Sequence, residues 1–233
     1  MNGAYLTTMH RTINILGTVF LAAFLVTISN TAEAQSFSCK AKSGVKVSVK
    51  LKDPKPKINH TKTLKYINNR AQHGGLRKGN GLVLGLTHSA QVSNLKFEFQ
   101  VETLGNRNCF NITKVNADFG HKTLEVFIPR EYHPGTCQYN TVMRHEKEHV
   151  RVNREGIRKY AKLLRKELEK AVYRYNPKKT KNAKTAQKDA RSALGGVMRR
   201  VNKKFQNDIT KKHAVIDKPG GPYDATGACR KWQ

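Results

Sequence analysis

Acidic residues are scarce in this chain of 233 residues, which has 16 Asp and Glu against 44 Lys and Arg and a formal net charge of +28 at pH 7. This imbalance excludes the near-neutral surface of an ordinary cytosolic enzyme. Long apolar runs are also scarce, and the mean hydropathy of −0.64 excludes a polytopic membrane protein. Because apolar residues still recur in periodic runs, we expect a folded chain rather than extended disorder.

The one long apolar run lies near the N-terminus, from Ile13 to Ile28. Arg11 precedes it, and Ala32-Glu33-Ala34 follows it with small residues at the −3 and −1 positions of a cleavage site. We therefore expect residues 1–34 to be a secretory signal peptide that is cleaved near Ala34-Gln35, with an uncleaved signal anchor as the alternative. The mature protein would then be periplasmic or secreted.

Cysteine is sparse, with four residues in the predicted mature chain: Cys39, Cys109, Cys137 and Cys229. An even number in an exported chain indicates two disulfides. Three pairings are possible. We favour Cys109–Cys137, because these two bracket one predicted strand, and this leaves Cys39–Cys229 to join the termini.

The first part of the mature chain, residues 35–135, has the alternating apolar pattern of half-buried strands. Strands are expected at residues 45–51, 81–87, 95–101, 109–117 and 124–128. Because these segments lie close together in sequence, an antiparallel sheet is the simplest arrangement.

The second part, residues 136–213, changes to helical spacing. The pattern predicts a helix from about Asn140 to Tyr175, which Asn176-Pro177 ends, and a second helix over about 183–213. Residues 214–233 are left as a C-terminal tail. The predicted class is therefore α+β, a small antiparallel sheet followed by one long helix and a second, antiparallel helix.

Residues 145–149 read His-Glu-Lys-Glu-His, an HExxH motif on the first of these helices. With 3.6 residues per turn, His145 and His149 lie about 40° apart on one face, so both imidazoles reach one metal ion. Two imidazoles and a third ligand suit Zn²⁺ and leave a position open for water. Glu146 is then placed to take the proton of that water. The alternative is a pair of core histidines that only form hydrogen bonds.

The third zinc ligand is expected from the second helix. If this helix returns antiparallel around a turn near Lys178, residue 209 comes level with Lys147, which makes Asp208 and His213 the candidates. Asp217 and Asp224, on the final loop, are regarded as lying outside the site.

A family resemblance rests on four features: Cys109 after an Asn/Gly turn, a strand that ends in Ile128-Pro129, HExxH at the start of a long helix, and Tyr160-Ala161 further along it. Together they are similar to a family of bacterial secreted proteins known as a domain of unknown function (DUF922), whose members are predicted to be zinc-dependent proteases. The similarity covers roughly residues 60–175, with a fainter match at Tyr223–Gly227.

What the resemblance implies is a single zincin-like domain over residues 35–233. Its function would be that of an exported zinc-dependent metallopeptidase acting on a peptide or protein substrate, with Glu146 as general base. The family's ending carries a His-Gly pair that this chain lacks.

Positive charge points to an alternative function. Between Lys178 and Lys212 twelve Lys or Arg stand against two acids, Asp189 and Asp208. Such a field attracts polyanions, which for an exported protein are anionic envelope polymers or lipids. Because aromatic residues are sparse in this run, sequence-specific nucleic-acid binding is not expected. The alternative is therefore a non-catalytic cationic envelope protein with structural histidines, or with zinc held without hydrolysis. We expect a monomer.

Overall fold

The structure, a computed structural model, describes residues 38–41, 44–74 and 82–232. The chain divides into two units, Met1–Ser36 and Phe37–Gln233, and the first of these, which contains the whole predicted signal peptide, lies outside the described residues. Within the described part, no helix combines the length and the apolar character needed to cross a bilayer.

Five strands and three helices make an α+β fold in the described residues. They are β1 (Lys46–Lys52), β2 (Lys57–Asn59), α1 (Leu64–His73), β3 (Leu86–Leu104), β4 (Arg107–Phe127), α2 (Cys137–Tyr175), β5 (Lys178–Thr180) and α3 (Ala183–Ile216). The α+β class and the two long helices agree with the sequence pattern, whereas α1 is not predicted by it.

All strands of the sheet pair with β4. The hairpin partner β3 runs antiparallel along one edge, and the other edge carries β5 antiparallel and β1 and β2 parallel. The sheet is therefore mixed, and the expectation of an antiparallel sheet is wrong. The reason is that β3 occupies one edge of β4, so the earlier strands, joined to β3 through α1, pair with the opposite edge instead of with their neighbour in sequence.

β4 is one strand where the sequence pattern predicts two, at 109–117 and 124–128. The register with β3 shifts twice, so that Thr113 and Lys122 are extra residues without a partner in the ladder. Each bulge reverses which side chains face the helices. The β4 residues that pack with α2 or α3 are accordingly even-numbered, then odd-numbered, then even-numbered again: Phe110 and Ile112, then Val115, Ala117 and Phe119, then Val126. Cys109, Asn111 and Phe127 are also buried.

The helices α2 and α3 pack on each other antiparallel, and together they cover one face of the sheet. Thr136 caps α2 by accepting from the backbone N–H of Tyr139, and Asn182 caps α3. Gly156 permits a close approach of the two helices, because a Cβ there would lie 2.9 Å from Phe205 and from Ile209. The glycine pair Gly195-Gly196 does not interrupt α3.

The disulfides are Cys39–Cys109 and Cys137–Cys229, with Cα–Cα distances of 5.3 and 6.0 Å. The expected pairing Cys109–Cys137 with Cys39–Cys229 is wrong. Because β1 runs parallel beside β4, Cys39, which precedes β1, lies near the beginning of β4 and beside Cys109. The C-terminal tail returns to the beginning of α2, where Cys137 lies. Both bonds are compatible with an oxidising compartment.

Candidate metal centre

The HExxH motif lies in the third and fourth turns of α2, on the face that packs into the protein. Val142 before it and Val152 after it are buried, and so are Glu146 and His149. The Nε2 atoms of His145 and His149 are 3.1 Å apart. The two imidazoles therefore converge on one point, as the four-residue spacing predicts.

Asp217 joins this pair from the end of α3. It is the residue at which the helix ends, and its Oδ1 lies 2.9 Å from Nε2 of His149 and 3.3 Å from Nε2 of His145. Together the three residues form a group with the composition of a metal site. Tetrahedral zinc with bonds of about 2.0–2.1 Å separates its ligand atoms by about 3.4 Å, so two imidazole nitrogens and this carboxylate oxygen fit zinc with small adjustments.

The structure brings neither Asp208 nor His213 into this cluster. Asp208 pairs with Lys159 at 3.0 Å and faces Lys212. His213 contacts His149 through Nδ1, on the side of the ring away from Asp217. Sequence reasoning misplaced the third donor because α3 continues past residue 213 to Ile216. The signal that could have found it is Asp217 itself, four residues after His213 and directly before the helix-ending Lys218-Pro219-Gly220.

The C-terminal tail orients His145. The backbone carbonyl of Tyr223 lies 2.8 Å from Nδ1 of His145. A carbonyl oxygen only accepts, so Nδ1 donates this hydrogen bond, and the neutral form of the ring then has its Nε2 lone pair directed at the cluster. This arrangement is typical of histidines that bind metals, whose second nitrogen donates to a fixed acceptor.

Glu146 lies beside the cluster and is 3% exposed. The hydroxyl of Thr87 donates to its Oε2 at 2.6 Å. On the other side, a Cβ at Gly85 would lie 2.7 Å from Oε1, so only glycine leaves room for the carboxylate. Burial raises the pKa of Glu146, against the opposing effects of His149 and Thr87. Sequence reasoning did not identify Thr87 or Gly85, which reach Glu146 from the start of β3.

The electrostatics of the cluster favour positive charge beside Asp217. Although partial burial works the other way, hydrogen bonds from His145 and His149 hold the pKa of Asp217 far below its ordinary value. Burial opposes protonation of His145, but the bonds to Asp217 and to the Tyr223 carbonyl raise its pKa to about 9. The cluster thus attracts a cation, and a divalent ion would satisfy the same three atoms.

A cavity of about 330 Å³ opens at the cluster. Its walls come from residues 82–87, the beginning of α2, the end of α3 and the tail. The apolar side is formed by Ala71, Leu82, Val83, Leu84, Val142 and Ile216, whereas His145, Glu146, His149 and Asp217 lie on the polar side. The volume lies within the range of ligand-binding clefts.

Comparison of this chain with protein-family models, with curated proteins and with solved structures finds no match. The resemblance to the DUF922 family therefore stays an expectation that rests on the sequence features named above.

Proposed function

We propose that this chain is an exported zinc-dependent metallopeptidase. The observation that supports this best is the placement of two different groups on one wall of a single cavity. One is a three-donor cluster, His145, His149 and Asp217, and the other is the buried carboxylate of Glu146. A metal site that only stabilises a fold has four protein ligands, whereas three ligands beside an open cavity are typical of catalytic zinc.

The cluster and Glu146 have separate roles in peptide hydrolysis. Zinc held by the three donors would polarise the substrate carbonyl and make water more acidic. Glu146 takes a proton from the water whose oxygen attacks the carbonyl carbon. The same proton then passes to the amide nitrogen as the C–N bond breaks, which gives a carboxylic acid and an amine.

The surroundings of Glu146 suit a general base. Because burial raises its pKa, the carboxylate is a stronger base than an exposed glutamate. Thr87 holds one carboxylate oxygen by its hydroxyl, and the backbone of Gly85 closes off the space behind the other. The carboxylate therefore keeps its direction, while the apolar wall offers space for an aliphatic part of a peptide.

The periplasm or the cell exterior is the compartment that fits this proposal. Two disulfides are compatible with an oxidising environment, and the predicted signal peptide, residues 1–34, accounts for secretion to the periplasm or beyond. The substrates would then be peptides or proteins of the cell envelope or the surroundings.

The test is Glu146→Gln, which keeps the size of the side chain and an oxygen for Thr87 but removes the base. We expect about one zinc per chain in both the wild-type protein and the variant. Cleavage of a fluorogenic peptide library falls at least about 100-fold in the variant, because general-base catalysis contributes on this order. The measurements are metal content and the hydrolysis rate.

Glu148→Gln is the matched control on the same helix. Glu148 is half-buried and pairs with Arg151 at 2.8 Å, outside the cluster. Its substitution leaves both zinc and cleavage unchanged. Hydrolysis that persists at the wild-type rate in Glu146→Gln would contradict the proposed role.

A second candidate is the non-catalytic cationic protein that binds anionic envelope polymers or lipids. It is favoured by the exposed basic side chains along α3, which are Lys184, Lys188, Arg191, Arg199, Arg200, Lys203, Lys204 and Lys211. This function predicts binding that weakens steeply with salt and is the same for Glu146→Gln. Zinc-dependent peptide cleavage by the wild-type protein, but not by Glu146→Gln, would support the peptidase over the binding protein.

A further inference from the structure

His213 lies behind the cluster rather than in it. Its Nδ1 is 2.8 Å from Nδ1 of His149, and the two ring centroids are 4.9 Å apart. The other nitrogen of His149, Nε2, faces Asp217 and His145. The two nitrogens of one imidazole thus have two different neighbours, the metal-binding cluster on one side and His213 on the other.

We propose that His213 is a positioning residue that fixes the tautomer in which His149 binds the metal, an inference that rests on the proposed zinc centre. A neutral imidazole binds a metal through its unprotonated nitrogen. When Nε2 of His149 is that ligand, its proton must be on Nδ1. This N–H needs an acceptor, and Nδ1 of His213 is the atom at hydrogen-bond distance.

The opposite tautomer would disable the site. With the proton on Nε2, His149 would present an N–H to the cluster and donate it to Asp217, so two of the three donors would be engaged with each other. An acceptor at His213 removes this competition, because it holds the proton on the far side of the ring. Partners of this kind usually change metal affinity by 10–100-fold.

The two histidines of the motif are thus oriented in different ways. His145 donates to the main-chain carbonyl of Tyr223, which no substitution at that position removes. His149 depends on a side chain instead. The role of His213 can therefore be tested by substituting its side chain, without a change in the backbone.

Asn153 supports His213 from α2. Its Nδ2 donates to the carbonyl oxygen of His149 at 2.9 Å and lies 3.4 Å from Nε2 of His213, while its Oδ1 is buried without a partner among the described residues. Asn153 therefore contacts both histidines.

The test compares three variants of the purified protein at pH 7.5. His213→Leu removes the acceptor, His213→Gln restores one in a side-chain amide, and Thr210→Leu places the same leucine at an exposed position one turn earlier on α3. Zinc affinity is measured by competition with a chromophoric chelator. We expect a loss of about 10–100-fold in His213→Leu, recovery of most of it in His213→Gln, and no change in Thr210→Leu.

A second measurement reads the tautomer directly. In the zinc-bound wild-type protein, ¹⁵N–¹H correlation spectra of the histidine rings should place the His149 proton on Nδ1. Circular dichroism verifies that each variant is folded. If His213→Leu does not fold, the ¹⁵N–¹H spectrum of the zinc-bound wild-type protein tests the inference by itself.

Equal zinc affinity of wild type and a folded His213→Leu would overturn the inference, as would a proton on Nε2 of zinc-bound His149. A wild-type protein that binds no zinc would overturn both this inference and the proposed function. Zinc binding that depends on His213 without any peptide cleavage would refute the peptidase and leave the role of His213 intact.

Discussion

At the scale of single residues, Asp217 makes the two motif histidines into a cluster of three donors. HExxH supplies two donors, and its sequence does not say which residue is the third. Asp208 is also an aspartate on α3, but it forms ion pairs with Lys159 and Lys212 at the surface. Asp217 has its carboxylate directed at two imidazoles, and their hydrogen bonds hold its pKa far below the ordinary value.

This difference gives a prediction on two matched substitutions. Asp217→Asn removes the anionic donor, so zinc affinity should fall by more than about 100-fold, beyond the usual effect of an outer partner. Asp208→Asn removes only a surface ion pair, whose contribution to the free energy of unfolding is about 0–1 kcal/mol, and zinc affinity should not change. Chelator competition measures both. The reverse order of effects would show that Asp208 is the ligand.

At the scale of secondary-structure elements, α2 and α3 are located correctly by the sequence pattern, whereas the bulged strand β4 is not. Helical periodicity is regular over α2 and α3, so the pattern locates both to within a few residues. The pattern in β4 changes phase at Thr113 and Lys122, and a phase change has the same appearance in sequence as a break between two strands.

The contact between the helices gives a prediction on two glycines. In Gly156→Ala the added Cβ would meet Phe205 and Ile209 at 2.9 Å, and such overpacking typically destabilises by about 1–3 kcal/mol. We therefore expect a lower Tm and weaker zinc binding, because the end of α3 carries Asp217. Differential scanning calorimetry and chelator competition measure these effects.

Gly195→Ala is the control within α3. The nearest atom to its added Cβ is the end of the flexible Arg199 side chain, at 3.4 Å. Alanine has the higher helix propensity, so this variant should be more stable by up to about 1 kcal/mol, with unchanged zinc affinity. An equal rise in Tm for both variants would show that the helices do not pack tightly at Gly156.

At the scale of the whole molecule, the C-terminal tail attaches to the beginning of α2 and thereby completes the site. The Cys137–Cys229 disulfide holds it, the Trp232 ring lies 5.7 Å from that of Tyr132, and the Trp232 indole donates to the carbonyl of Thr226. Between these points and Asp217, the tail places the Tyr223 carbonyl against His145.

The two disulfides should therefore have different effects on the metal site. They close segments of similar length, 92 and 70 residues, so removing either should lower stability by a similar amount, about 2–5 kcal/mol. Replacing Cys137 and Cys229 by serine should also weaken zinc binding, because the tail that orients His145 is released. Replacing Cys39 and Cys109 by serine should leave the zinc affinity of the folded protein unchanged. Equal zinc affinities for both folded double variants would contradict this role of the tail.

Three features follow from local sequence: the positions of α2 and α3, the presence of both motif histidines on one helix face, and the excess of positive charge. The first two depend on periodicity within one segment, and the third depends on composition. The pairing of the cysteines, the mixed order of the sheet, and the convergence of Asp217, Thr87 and Tyr223 on the motif depend instead on tertiary packing. Each of these joins segments far apart in sequence, and the packing of α3 and the tail against α2, rather than any local preference, brings them together.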